Sequence, residues 1–320
     1  MKKKIAIIGS GIAGLTIANL FKTNSNFEVT VYEKEKILSL AEGYGIQLAP
    51  NSISILNKIG FQNTDKNNLS NPLGLDFYSS NNDKICDLDL SRFNSEKSKY
   101  TTLKRSTLIE FLKNKLFSNN LRFGKEVKKI SKIKEKLLIN FKDNTNDLVD
   151  FVVVSDGVFS NTKSVIENKI IHPIYNGSIA IRTILKSLPE FNYDKNNISL
   201  VMLKNAHIVI YPINKKGELN VVCIIRQKLS NNIDLKSLIR EVILSQNKNL
   251  ENIFVNKLEY WPIYISKKPS KSIYENLFYI GDAFYAFPPT MAQGASQSIE
   301  TANELFNLLS KDNKNTPDLF

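Results

Sequence analysis

The chain has 320 residues, of which 42% are hydrophobic, and this is enough apolar material to bury a substantial core. Lys and Arg number 43 against 31 Asp and Glu, so the formal net charge is +12. The cations are spread through nearly every segment and lack aromatic interleaving, which disfavours a nucleic-acid-binding protein. No run approaches the roughly 20 apolar residues that a membrane-spanning helix needs.

Cysteine and histidine are scarce. Cys86 and Cys223 stand far apart and form no CxxC pair, which predicts a reduced, cytoplasmic protein. The two histidines, His172 and His207, are too few for a His-rich metal site. No metal is therefore expected.

The N-terminal segment has the pattern of a strand, a helix and a second strand. Ile5 to Ile8 form a continuous apolar run, as in a parallel strand buried on both faces. Helical periodicity follows over residues 12–23, and Phe27 to Tyr32 reads as the next strand. This order predicts a βαβ unit.

The turn between the first strand and the helix reads Gly9-Ser10-Gly11-Ile12-Ala13-Gly14. Such a turn can bring a pyrophosphate to the helix N-terminus. Gly9 permits the tight turn, Gly11 allows the backbone to approach the pyrophosphate, and Gly14 allows the helix to pack closely on the strand. Glu33 follows the second strand, nineteen residues after Gly14, where a carboxylate can accept ribose hydroxyls. Glu33 and the adjoining Lys34 are predicted to bind a dinucleotide, either FAD or NAD.

Later segments alternate between buried-strand, helical and antiparallel patterns. The predicted elements are a helix from Pro50 to Gly60, a helix from the capping-box pair Thr107 and Glu110 to Phe117, a hairpin of Glu126–Ile133 with Lys136–Phe141, a strand at Phe151–Val154, antiparallel strands between residues 171 and 271 with a helix at Leu235–Leu244, a strand at Leu277–Ile280, and a helix from Gly294 to Leu309.

These elements predict an α/β fold with two domains. A Rossmann-like domain with a parallel sheet is discontinuous and takes residues 1–170 and 272–310. An antiparallel substrate domain takes residues 171–271 and adds an insertion near 71–100. Residues 311–320 are a polar tail.

Several motifs resemble one flavoprotein family. The segments Val154–Ser160 and Gly281–Pro289, followed by Gln293-Gly294-Ala295, resemble the DG and GD motifs of the class A, single-component FAD monooxygenases with the para-hydroxybenzoate hydroxylase fold. The resemblance covers about residues 4–309. Further matching points are Gly45–Asn51, Leu103–Leu108, Gly177 with Arg182, and Tyr211-Pro212.

The resemblance implies a set of FAD contacts. Asp282 would bond a ribityl hydroxyl, and the helix beginning at Gly294 and Ala295 would face the flavin pyrimidine. The resemblance implies that Arg105 contacts the FAD tail and that Val127 contacts adenine through its backbone. It also implies that Asp156 helps to bind the pyrophosphate region.

The resemblance also implies a reaction. NAD(P)H would reduce FAD, O₂ would add at the flavin C4a, and the hydroperoxide would hydroxylate a phenolic ring. A related FAD-dependent reductase and a non-catalytic FAD-binding protein stay open as alternatives. No catalytic base can be named. The candidates to line the substrate pocket are His207, Tyr211, Tyr264, Tyr285 and Pro288.

Ubiquinone-pathway hydroxylases belong to the same broad group. A lipid-tailed phenol as substrate would place this protein at the inner face of a membrane.

The chain departs from the family pattern at three points. Tyr285 stands where the family usually has His, and Thr301 stands where it has Asp. The DG segment continues as Asn161-Thr162-Lys163 and lacks the usual Arg. The last departure leaves the nicotinamide contact open.

Overall fold

The structure, a computed structural model, describes residues 2–38, 44–186, 193–230 and 233–311. The predicted polar tail lies outside these ranges beyond Lys311. In chain order the described strands are β1 Lys3–Ile8, β2 Phe27–Tyr32, β3 Gly45–Leu48, β4 Leu69–Ser70, β5 Gly74–Tyr78, β6 Lys84–Asp89, β7 Thr101–Lys104, β8 Leu121–Arg122, β9 Val127–Ile133, β10 Lys136–Phe141, β11 Asn146–Val149, β12 Phe151–Val154, β13 Ile174–Leu185, β14 Ile198–Leu203, β15 Ala206–Pro212, β16 Leu219–Arg226, β17 Glu259–Ile265 and β18 Leu277–Tyr279. The α-helices are α1 Ile12–Lys22, α2 Pro50–Asn57, α3 Arg105–Asn114, α4 Asn161–Glu167, α5 Leu235–Ile239 and α6 Gly294–Ser310.

A five-stranded parallel sheet joins the two ends of the chain. Its order is β18-β12-β1-β2-β8, and every neighbouring pair is parallel. Ile5 and Ile7 of β1 pack with α1 and α6 on one face, while Ala6 and Ile8 pack toward β9 and β10 on the other. Both faces are buried, which is why β1 reads as an uninterrupted apolar run.

The carboxyl ends of four of these strands meet at one edge of the sheet. There Gly9 follows β1, Glu33 follows β2, Ser155 follows β12, and Ile280 with Gly281 follows β18. In open parallel sheets, ligands bind outside this edge. The topology therefore gathers motifs from both ends of the sequence at one place.

The second large sheet has seven strands in the order β17-β13-β16-β15-β14-β5-β6. Five of its six junctions are antiparallel, and β14 and β5 are parallel. The predicted α/β class, with a Rossmann-like parallel sheet and a separate antiparallel sheet, is confirmed. We retain the predicted domain division as a proposal, which the pairing of residues 74–89 with this sheet supports.

The alternation of side chains gives the seven-stranded sheet two different faces. Ile179 and Ile181 point into an apolar core that α5 covers. Ala180 lies on the opposite face, where the register aligns it with Ile224 of β16 and then with His207 of β15. This second face, called here the site face, borders the cavities described below.

Three helices differ from their predicted bounds by more than one residue. Helix α2 ends at Asn57 and not at the predicted Gly60. Helix α3 begins at Arg105 and ends at Asn114, so Thr107 lies inside the helix and the predicted capping box is wrong. The N-cap is Lys104, which makes no side-chain cap bond. The predicted Leu235–Leu244 helix is α-helical only to Ile239 and continues as a π-helical turn over Arg240–Leu244. Spacing alone does not fix helix ends.

Candidate cofactor and substrate site

The glycine turn after β1 is packed too closely for side chains at two of its glycines. Gly9 has φ +102°, and a Cβ there would lie 2.7 Å from the carbonyl oxygen of Ser155. A Cβ on Gly14 would lie 2.1 Å from the carbonyl oxygen of Gly9. At Gly11, such a Cβ would have no heavy atom within 4 Å in the described ranges, apart from those of Gly11 and its two chain neighbours. Gly11 therefore faces open space, as a backbone that receives a ligand does.

Glu33 fixes the same turn from the side of β2. Its carboxylate oxygen Oε2 accepts hydrogen bonds from the backbone N–H of Ser10 at 2.9 Å and from the Ser10 hydroxyl at 2.7 Å. Its Oε1 accepts from the N–H of Glu35 at 3.1 Å. A carboxylate has about four lone-pair sites, so capacity is left for a ligand hydroxyl.

Two residues after β12 approach the glycine turn from the other side. The Ser155 hydroxyl lies 2.9 Å from the carbonyl oxygen of Ile8 and 3.1 Å from that of Gly9. The Asp156 Oδ2 accepts from the N–H of Thr162 at 3.2 Å, while its buried Oδ1 has no hydrogen-bond partner in the described chain. Buried acceptors are rarely left unpaired, so Oδ1 is suited to a ligand donor.

The carboxylates of the DG and GD motifs share a buried cation. Lys163 is only 5% exposed, and burial lowers the pKa of its ammonium group against the opposing charges of Asp156, Glu167 and Asp282. Desolvation by neighbouring protein atoms raises the pKa of the Asp282 carboxyl. The positive charge of Lys163 partly offsets this rise. Lys163 therefore provides a cation in the segment after Ser160, where the family usually has an Arg.

Thr301 ties helix α6 to the GD turn. Its hydroxyl oxygen accepts from the N–H of Gly281 at 3.1 Å, and the hydroxyl donates to the carbonyl of Gln297 at 2.8 Å. A Cβ on Gly281 would lie 2.9 Å from the Cβ of Ala13 in α1. The departure at Thr301 keeps an acceptor for Gly281, so the local geometry does not need an Asp.

The loop cavity, of about 340 Å³, lies at the carboxyl edge of the parallel sheet. Apolar Ile37, Leu38 and Phe159 border it beside the polar glycine turn. The predicted cofactor residues that line it are Gly9, Ser10, Gly11, Glu33, Lys34, Arg105, Val127 and Asp156.

The central cavity, of about 470 Å³, lies between the parallel sheet edge and the site face. It shares Gly11, Arg105, Ser155 and Gly157 with the loop cavity, so the two cavities adjoin. The predicted cofactor residues that line it are Gly11, Ile12, Ala13, Arg105, Asp282, Gly294 and Ala295. Of all the predicted cofactor residues, only Gly14 lines neither cavity, because it packs beneath the turn.

Two aromatic rings and a cation form a wall of the central cavity. Tyr44 and Trp261 meet edge to face with ring centroids 5.1 Å apart. The Arg182 guanidinium lies 5.9 Å from the Tyr44 ring centroid and 6.0 Å from that of Trp261. Sequence reasoning marked Arg182 only as a matching point and missed the rings, whose meeting depends on the tertiary fold.

A third cavity, called here the sheet cavity, lies farther along the site face and has a volume of about 780 Å³. Two predicted pocket residues, His207 and Pro288, line it. Burial lowers the pKa of His207, so the imidazole is neutral at pH 7. The other described lining residues are Asn176, Gly177, Ser178, Leu203, Asn205, Ala206, Ile224, Arg226 and Thr290.

The other three predicted pocket residues are dispersed. Tyr211 is 4% exposed, and burial raises the pKa of its phenol. The Tyr264 ring packs on Phe159 at 5.0 Å. Tyr285 is 37% exposed and lies 6.4 Å from the Phe287 ring. Their roles in a substrate pocket stay predictions.

The two adjoining cavities have features that fit FAD. Gly11 and Gly294 face open space, and Asp156 Oδ1 is a buried acceptor without a donor. Helices α1 and α6 both begin at the central cavity, and the first N–H groups of a helix have no partner within that helix. These N–H groups can bind phosphate or a carbonyl oxygen of the cofactor.

Comparison with known proteins places the chain in a family. The family described as "FAD binding domain" matches residues 2–316. The chain belongs to this FAD binding domain family. FAD is therefore its cofactor, and the predicted membership of the flavoprotein aromatic hydroxylase class is confirmed.

Individual relatives agree with this family. A 3-amino-4-hydroxybenzoate 2-monooxygenase, PtnB3, of Streptomyces platensis is 23% identical over 320 residues, which cover 96% of this chain and 80% of the relative. A 6-hydroxynicotinate 3-monooxygenase of Pseudomonas fluorescens is 23% identical and covers 93% of this chain and 80% of the relative. The predicted enzyme, an FAD-dependent monooxygenase, is confirmed.

The fold has a close counterpart among solved structures. Klebsiella pneumoniae HpxO complexed with FAD and uric acid superposes with a TM-score of 0.86 at 16% identity, and the match covers 98% of this chain and 81% of HpxO. At this identity, the likeness shows the shared fold.

Proposed function

We propose that the protein hydroxylates an aromatic small molecule with NAD(P)H as electron donor and O₂ as the second substrate. The observation that supports this most directly is the central cavity, where the predicted FAD-binding residues face Trp261 of the site face and the Tyr44 ring that packs against it. FAD, when bound, supplies the transfer of electrons from NAD(P)H and the activation of O₂.

The chain's residues would hold the two halves of FAD at separate points. Glu33 and the glycine turn would bind the adenosine and pyrophosphate, since they line the loop cavity. Asp282 and the start of α6 would hold the flavin half in the central cavity. The N-terminal dipole of α6 stabilises negative charge placed there, as on a reduced flavin ring.

The site face provides an apolar surface against which a flat ring can be held. Ala180 and Ile263 line the central cavity beside Trp261, and Ile224 continues the same apolar cluster into the sheet cavity. Such a surface excludes water and orients an aromatic substrate by packing. The names of PtnB3 and of the Pseudomonas protein, which specify hydroxylated aromatic rings, support the same substrate type.

A panel of phenols and hydroxylated heterocycles tests the proposal. FAD-loaded protein is mixed with NADPH and each compound in air, and NADPH oxidation, O₂ uptake and product mass are recorded. A substrate should stimulate oxidation and yield a product heavier by one oxygen atom. Oxidation without O₂ uptake would support a reductase, and bound flavin that NADPH never reduces would support a non-catalytic FAD-binding protein.

A cytoplasmic location is part of the proposal, and both cysteines of the described chain are free. No helix in the described ranges could cross a bilayer. If the substrate is a lipid-tailed phenol, peripheral binding to an inner membrane face follows, and the +12 charge favours anionic lipid. Flotation with anionic vesicles tests this, and loss of binding at high salt is expected.

A further inference from the structure

The sheet cavity has a single formal charge among its described lining residues. Among its described lining residues there is no Asp or Glu, and Arg226 is the lone Lys or Arg. The neutral state of His207 adds no charge at pH 7. The cavity therefore presents one net positive charge to whatever binds there.

Arg226 is available to a ligand. It is exposed, and within the described ranges no carboxylate lies within 4.0 Å of its guanidinium. The register places it opposite Ser178, two residues along each strand from the Ala180–Ile224 pair on the site face. Its guanidinium can donate to a carboxylate or an ionised phenol through two parallel hydrogen bonds.

The rest of the lining suits a ring with polar substituents. Leu203, Ala206 and Ile224 provide apolar surface. The Oδ1 atom of Asn176 is a buried acceptor without a donor in the described chain. A hydroxyl or N–H group on the ring would satisfy it. Pro288 lines the sheet cavity and the adjoining Pro289 lines the central cavity, so the two cavities are neighbours.

We propose that the sheet cavity binds the substrate as an aromatic ring with one negative charge, and that Arg226 is the residue that selects for this charge. The proposal deepens the proposed function and rests on it for the reaction, but binding can be measured without turnover. Loss of a charge-assisted pair from a partly exposed site should weaken binding by roughly tenfold or more.

Benzoate and benzamide are the probes, because they share a ring and differ in charge. Their dissociation constants with FAD-loaded protein are measured by calorimetry and by the change in flavin absorbance, without NADPH. Wild type should bind benzoate more tightly than benzamide. Arg226→Gln should lose the preference, and Arg226→Lys should keep most of it.

Lys228→Gln is the matched control, since Lys228 is a nearby exposed cation that does not line the sheet cavity. It should leave the preference unchanged. FAD content and circular dichroism verify that each variant folds. The inference is overturned if Arg226→Gln keeps the preference, or if Lys228→Gln removes it equally. If the charge preference depends on Arg226 while no compound in the panel gains oxygen, the inference stands and the proposed function fails.

Discussion

Replacing Gly14 by alanine should destabilise the fold itself. The new Cβ would lie 2.1 Å from the Gly9 carbonyl oxygen and 2.5 Å from the Ser155 hydroxyl oxygen. The carbonyl belongs to the backbone and cannot rotate away, so α1 must move from β1. Overpacking typically costs about 1–3 kcal/mol, and we expect the upper end, about 3 kcal/mol, against a total stability of about 5–15 kcal/mol.

The neighbouring substitution Gly11→Ala should have the opposite profile. Apart from Gly11 and its chain neighbours, no heavy atom of the described residues lies within 4 Å of the new Cβ. The φ of Gly11 is −75°, which alanine adopts freely. Stability without FAD should therefore change by no more than about 0.5 kcal/mol. The methyl group would occupy space that the pyrophosphate needs, so FAD affinity should fall at least about tenfold, or about 1.4 kcal/mol.

Urea unfolding of flavin-free protein, followed by circular dichroism, measures the first quantity for both variants. Titration with FAD, followed by quenching of flavin fluorescence, measures the second. A Gly14→Ala protein as stable as wild type would refute the packing argument. A Gly11→Ala protein with unchanged FAD affinity would show that the cofactor does not approach this turn.

Three other substitutions test the hydrogen bonds and the titrating group of the site. Glu33→Ala removes both hydrogen bonds to Ser10 and should lower the unfolding free energy by about 2 kcal/mol. It should also lower the affinity for FAD. Glu33→Gln, which keeps one acceptor oxygen, is the control, and urea unfolding is the measurement. Thr301→Val leaves the Gly281 N–H without its acceptor and should cost about 1–3 kcal/mol in thermal unfolding, whereas Thr301→Ser should be nearly neutral. Burial lowers the pKa of His207 below its ordinary 6.5, so the unfolded chain takes up the proton first and stability should fall as pH drops below 6.5. His207→Gln should make the unfolding free energy less dependent on pH below about 6.5, and an unchanged slope there would contradict the buried, neutral imidazole.

The sequence determined the elements whose patterns are local. The apolar run of β1 and the glycine turn at Gly9, Gly11 and Gly14 are consequences of neighbouring residues, since burial on two faces and close backbone packing each restrict nearby residue types. The motif at Gly281 and Asp282 added the far end of the chain through its resemblance to a family. These patterns predicted the fold class and the edge of the sheet at which we propose that FAD binds.

The tertiary structure alone decided contacts between residues that are distant in sequence. No local pattern requires Tyr44 to meet Trp261, or Glu33 to bind the Ser10 hydroxyl. The charge of the sheet cavity likewise follows from strand register, which brings Arg226 and His207 to one face of a sheet. Register depends on the packing of the whole sheet, because a shift of one residue would turn these side chains to the opposite face.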